Sequence, residues 1–172
     1  MKRFKKIIIL YFLFSALLFS QQKKITIPLS FDYYYTYDML VQAIKALNNA
    51  YPKLTELNYI GKSDEGRDIW GITINNPKTG KDIDKPGIYV DGNIHGNEIQ
   101  ASEVCLYLAQ YLLENYDKNQ EIKELVDKKC FYIIPSINVD GRFHFFNDPN
   151  NSSSNRSLRI PKDDDNDGLI DE

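Results

Sequence analysis

Only two histidines occur in this 172-residue chain, and one of them, His95, is followed three positions later by a carboxylate in His95-Gly96-Asn97-Glu98. An imidazole nitrogen and a carboxylate oxygen at that spacing can grip one metal ion. Zinc takes both ligand types at about 2.0 to 2.2 Å, and catalytic zinc sites use three protein ligands with an open position for water. The pair supplies two of the three. His-x-x-Glu also recurs by chance, so its setting carries the argument. Ile88, Tyr89 and Val90 form a β-rich run closed by Asp91-Gly92-Asn93, and a long amphipathic segment starts near Glu98. The pair therefore falls on a strand-to-helix turn, and ligands in open α/β sheets bind beyond the carboxyl ends of the strands.

The elements that must hold this turn are legible in the pattern. Thr36 reads as a helix cap, Leu40, Ala43, Ile44 and Leu47 recur at helical spacing, and Asn48-Asn49 with Pro52 ends the helix. Runs at 54–60 and 68–74 flank Asp64-Glu65-Gly66-Arg67 as a hairpin, and 75–85 reads as loop. A strand from Pro86 to Gly92 leads through the turn into a helix ending near Asn115, with Val104, Leu108, Tyr111 and Leu112 expected on its buried side. A charged helix over 120–127 follows. Cys130 to Pro135 is continuous and apolar, as a strand buried on both faces is. Strands alternating with helices argue an α/β layered fold, here a mixed, mostly parallel sheet flanked by helices.

Four ordered stretches, Tyr37 to Pro52, Gly61 to Arg67, Pro86 to Ser102 and Asn138 to Gly141, together resemble one family, the M14 zinc metallocarboxypeptidases. Tyr37 to Pro52 is similar to the family's opening helix and Tyr-Pro, and Gly61-Lys62-Ser63-Asp64-Glu65-Gly66-Arg67 to its Gly-x-Ser-x-Glu-Gly-Arg hairpin. Pro86 to Ser102 looks like its first zinc signature, and Asn138-Val139-Asp140-Gly141 like its Asn-Pro-Asp-Gly turn. The resemblance implies that His95 and Glu98 are zinc ligands. It also matches Asn155-Arg156-Ser157-Leu158-Arg159 to an Asn-Arg-x-x-Arg stretch whose last arginine binds the substrate carbonyl and stabilises the oxyanion. The match implies that role for Arg159, and a permanently charged guanidinium with a planar fork of donors suits it. Two positions depart from the family pattern: Asn97 stands where some carboxypeptidases have arginine, and Val139 replaces the proline of the turn. A family catalytic domain is roughly twice as long as this chain, so the chain reads as its N-terminal half, an incomplete fold. The third zinc histidine, the general-base glutamate and the substrate-binding tyrosine belong to the other half.

The first twenty residues speak for export. Met1 to Lys6 carries Lys2, Arg3, Lys5 and Lys6, Ile7 to Phe19 is an apolar run, and Ser20-Gln21 offers a small residue for cleavage. The run falls short of the roughly twenty apolar residues of a membrane span, so residues 1–20 read as a signal peptide of a secreted or periplasmic protein without stable membrane insertion. Loss of those four cations takes the formal charge from −3 to −7. No basic, aromatic-interleaved surface for nucleic acid is present. Residues 21–35 form a polar and aromatic lead-in, and 36–172 the family-like domain. Cys105 lies in an expected helix and Cys130 opens an expected strand, so both read as buried free thiols, with one disulfide between them as the alternative in an exported chain.

Asp163, Asp165, Asp167 and Asp171, with Gly168, place oxygen ligands at positions 1, 3, 5 and 9 of a calcium loop with glycine at 6. The competing reading is a plain acidic run. His144, flanked by Phe143, Phe145 and Phe146, reads as a histidine packed in an aromatic cluster rather than as a third ligand. By resemblance the function is release of C-terminal residues from peptides or proteins by zinc hydrolysis, with Zn2+ as cofactor and Ca2+ as a second ion. The alternatives are a non-catalytic binding remnant of the same fold and a related zinc deacylase of N-acyl amino acids.

Overall fold

The computed structural model describes residues 25–148. Helix α1 (Tyr37–Ala50) starts where expected: Thr36 is extended and its hydroxyl accepts from the Met39 amide. Leu40, Ala43, Ile44 and Leu47 form its buried stripe. Strands β1 (Thr55–Lys62) and β2 (Asp68–Ile74) make the antiparallel hairpin. Its turn is closed by Ser63 N–H donating to Arg67 O at 2.8 Å, and Gly66 takes a φ of 82° that other residues adopt at a cost.

Strand β3 (Gly87–Asp91), helix α2 (Gln100–Asn115), helix α3 (Gln120–Lys128) and strand β4 (Cys130–Ile134) follow, then helix α4 (Val139–Asn147). The sheet order is β1-β2-β4-β3, so β4 is central, antiparallel to β2 and parallel to β3. This is a mixed α/β sheet flanked by helices, with its parallel part at β3 and β4. Register aligns two apolar rows on one face: Leu57, Ile72, Ile133 and Val90 form one, and Ile74, Phe131 and Ile88 the next. Helices α1, α2 and α3 join these rows in a single core through residues such as Ile44, Leu106, Leu112 and Val126. Each fully buried side chain of this size contributes about 1.5 to 3 kcal/mol. The opposite face runs Glu56, Thr73, Tyr132 and Tyr89, and Tyr89 is exposed. Cys105 and Cys130 are free and buried.

Two expectations are corrected. Val104 and Tyr111 do not face inward on α2: both are exposed, and the buried stripe is Ser102, Glu103, Cys105, Leu106, Ala109, Gln110, Leu112 and Leu113. The polar members of that stripe are partnered inside. Gln110 accepts from the Leu29 amide at 2.5 Å and Glu103 from the Tyr35 amide at 2.8 Å, so the lead-in covers α2 through its polar side chains and the hydrophobic pattern misplaces the inward face. His144 does pack edge-on against the Phe143 ring, 5.8 Å between centroids, but it is also an ion-pair centre: its Nε2 lies 2.6 Å from Glu65 and its Nδ1 2.6 Å from Asp148.

Through His144 and its neighbours α4 is clamped to the hairpin turn. Asp140 accepts from Ser63 Oγ at 2.7 Å, from Arg67 Nη1 at 2.6 Å and from the Glu65 amide at 3.2 Å. The Arg67 guanidinium also lies 3.8 Å over the Phe143 ring. The Glu65 carboxylate raises the His144 pKa above its ordinary value of 6.5, partial burial opposes this, and Asp148 adds to the rise. A raised folded-state pKa stabilises fully below the unfolded value and fades as pH climbs through the folded one. Urea midpoints are therefore expected to fall as pH rises from 6 towards 9, and His144→Gln is expected to flatten that slope; parallel slopes for the two proteins would contradict the clamp.

Candidate metal centre

The sheet's parallel pair sends two loops out side by side. Gly92 N–H donates to Ile134 O at 3.1 Å, Ile137 N–H to Gly92 O at 3.0 Å and Asn138 N–H to Asn93 O at 3.1 Å, so the β3–β4 pairing continues past both strand ends. Gly92 is required by contact: a Cβ there would lie 2.8 Å from Ala101 O and 2.9 Å from Pro135 O. Asn93 has φ 56°, a region asparagine tolerates better than most residues. Its buried side chain holds the next turn, with Nδ2 donating to His95 O at 2.7 Å and to Gly96 O at 3.3 Å. Asn138 donates to Ile94 O at 3.1 Å. Gly96 then rests on Gly141 of α4, so closely that a Cβ would come within 2.6 Å of the Gly141 Cα.

On this fixed turn His95 Nδ1 lies 2.9 Å from Glu98 Oε2. Both side chains reach solvent, at 34% and 54% exposure. A nitrogen and an oxygen donor this close, on one outward-facing surface, can rotate onto a single ion, and the borderline-soft character of zinc suits that set. The residues present fit the metal. Among the described residues no third histidine, cysteine, aspartate or glutamate joins them, and His144 is engaged elsewhere by Glu65 and Asp148. Arg159 and the calcium-type aspartates Asp163, Asp165, Asp167 and Asp171 lie outside the described residues, as does the 1–20 segment. No described helix is long and apolar enough to cross a membrane.

Sequence reasoning missed the residue beneath the turn. Arg142, the first residue after the Asn138 to Gly141 turn, is fully buried. Its Nε donates to Tyr35 O at 2.9 Å, and Nη2 donates to that same carbonyl and to Glu103 Oε1 at 2.6 Å. Its Nη1 donates to Ile99 O at 2.8 Å, Ser102 Oγ at 3.0 Å and Asn93 Oδ1 at 3.3 Å. Burial lowers its pKa and the Glu103 carboxylate opposes that. An arginine inside an aromatic-rich stretch was the available signal; its partner Glu103 gave none, because the apolar pattern of the helix set Val104 and Tyr111 inward instead.

The family profile described as zinc carboxypeptidase, Peptidase_M14, matches residues 40–163. Human carboxypeptidase D is 38% identical over 109 residues, which is 63% of this chain and 8% of that protein. The catalytic chain of carboxypeptidase N from Rattus norvegicus is 34% identical over 120 residues, 69% of this chain and 26% of that one. Among solved structures, carboxypeptidase A from Helicoverpa armigera superposes with a TM-score of 0.63 at 25% identity, covering 77% of this chain and 31% of that chain. Thrombin activatable fibrinolysis inhibitor shares the fold, with a TM-score of 0.64 at 20% identity over 80% of this chain and 32% of that one. The chain thus spans a minor part of each of these relatives. It belongs to the M14 family of zinc carboxypeptidases.

Proposed function

We propose that the protein is the N-terminal part of an exported zinc carboxypeptidase that releases single residues from the C-termini of peptides. The observation that carries this reading is the His95–Glu98 pair, 2.9 Å apart and facing outward from a turn fixed at the carboxyl ends of two parallel strands. His95 and Glu98 would hold the zinc together with a third ligand from outside the described residues. When bound, the zinc supplies Lewis acidity toward the scissile carbonyl and an acidified water. The exposed β3 edge residue Tyr89, and the small share of each relative that the chain spans, support reading it as one part of a larger domain.

The chain's own residues orient and neutralise. Asn93 and Asn138 hold the turn's carbonyls inward, which leaves the two ligand side chains directed to solvent. Arg159, by its place in Asn155-Arg156-Ser157-Leu158-Arg159, donates to the substrate carbonyl oxygen and to the oxyanion that replaces it. Asp163, Asp165, Asp167 and Asp171 bind calcium and brace the segment that carries Arg159. Residues 1–20 direct export and are removed.

His95→Ala in the full-length protein is expected to lose about one zinc per chain by metal analysis while staying folded, and retention of full zinc would overturn the site assignment. Arg159→Ala is expected to keep the zinc and lower kcat by about 10²- to 10³-fold, the scale of losing one oxyanion donor. An unchanged kcat would remove Arg159 from the chemistry.

A further inference from the structure

We infer that Arg142 is a positioning residue for the metal turn, setting the orientation of the Asn93 amide and the carbonyl of Ile99 and thereby the backbone on both sides of His95 and Glu98. The inference rests on the reading that these two residues hold zinc.

A guanidinium offers five N–H donors and no acceptor. Asn93 must therefore turn its Oδ1 toward Arg142 Nη1, 3.3 Å away, and the Ser136 hydroxyl reaches the same oxygen at 3.2 Å. With the oxygen committed, Nδ2 can point only the other way, at the carbonyls of His95 and Gly96. A flipped amide would set donor against donor at Arg142 and oxygen against two carbonyl oxygens at the turn. The donor-only character of Arg142 thus decides which end of Asn93 grips the histidine's backbone. On the other side of the ligand pair, Nη1 holds Ile99 O at 2.8 Å, one residue after Glu98 and at the start of α2. Lysine carries a single nitrogen and cannot span Tyr35, Glu103, Ile99, Ser102 and Asn93 at once.

The energetics separate this role from fold maintenance. A buried ion pair can often be replaced by a neutral, well-packed pair with little loss of stability, whereas removing one partner leaves an uncompensated charge. Glu103 Oε2 has no hydrogen-bond partner among the described residues, so the Glu103 carboxylate leans on Arg142 alone for countercharge. Arg142→Met combined with Glu103→Gln removes both charges together, and the glutamine oxygen can still accept from the Tyr35 amide. The fold survives this exchange and the positioning does not.

The test uses full-length zinc protein and its cobalt-substituted form. In the double variant, circular dichroism should match wild type and unfolding should stay cooperative, at a lower midpoint because Tyr35 O, Ile99 O, Ser102 Oγ and Asn93 Oδ1 lose a donor. Zinc affinity, measured by competition with a chromophoric chelator, should fall about 10- to 100-fold, the range seen when outer hydrogen bonds to ligands are lost. The visible cobalt band should shift, and kcat should drop more than KM changes. A folded double variant with wild-type zinc affinity and an unchanged cobalt spectrum would overturn the proposal. Should the double variant fail to fold, Arg142→Lys, which keeps a charge beside Glu103, is expected to show the same affinity loss and cobalt shift, and wild-type values there would overturn it equally. His95→Ala separates the two levels. If it keeps its zinc, the metal-centre reading falls; if it loses zinc while the Arg142 variants behave as wild type, the positioning role alone falls.

Discussion

Parallel pairing of β3 with β4 brings two loops out of the sheet at the same height, and backbone hydrogen bonds from Gly92 and Asn93 to the 134–138 stretch keep them together beyond the strands. Everything around the proposed metal centre follows from that continuation. It leaves Gly92 no room for a side chain and places Asn93 under the turn with a positive φ. It also sets Asn138 within reach of Ile94 O and presses Gly96 on Gly141. The turn carrying His95 and Glu98 is thus bound from below by a strand end and from the side by a helix. Two outward-facing side chains, His95 half-buried and Glu98 exposed, gain a defined direction, which leaves both accessible to an ion.

Buried charge supplies the second constraint. The pairing of Arg142 with Glu103 is costly to desolvate and adds little net stability compared with an apolar pair. Its value lies in direction. A fork of donors on α4 fixes several acceptors simultaneously, and these belong to the lead-in, the turn at Asn93 and the start of α2. The Arg67, Asp140, Glu65 and His144 cluster does related work nearer the surface, tying the β1–β2 hairpin to α4. Helix α4 is therefore gripped from two sides, and its Gly141 becomes a fixed stop for Gly96.

Much of this was legible in the chain. Thr36 with Leu40, Ala43, Ile44 and Leu47 announced α1, because cap and stripe agree. Asp64 to Arg67 announced the hairpin, and the apolar run from Cys130 announced the central strand. The inward face of α2 was not legible, because its phase is set by Glu103 and Gln110, polar residues buried against backbone amides of a segment far away in sequence. Periodicity reads apolarity and cannot see a distant partner. Helix α4 was hidden for a related reason: its start is fixed by Asn138 accepting from the Gly141 amide, and its residues divide between the buried Arg142 and the His144 ion pairs instead of forming an apolar stripe. The His95–Glu98 pair itself was visible, but several of the residues that hold its turn lie far from it in sequence, at Ser136, Asn138 and Arg142, and only the β3–β4 register unites them.

The zinc-edge anomalous difference map of the crystallised full-length protein is the most direct measurement of the proposed centre. A single strong peak is expected about 2.0 to 2.2 Å from one ring nitrogen of His95 and from a carboxylate oxygen of Glu98. Zinc bound elsewhere, with the 2.9 Å contact between His95 Nδ1 and Glu98 Oε2 left intact, would contradict it.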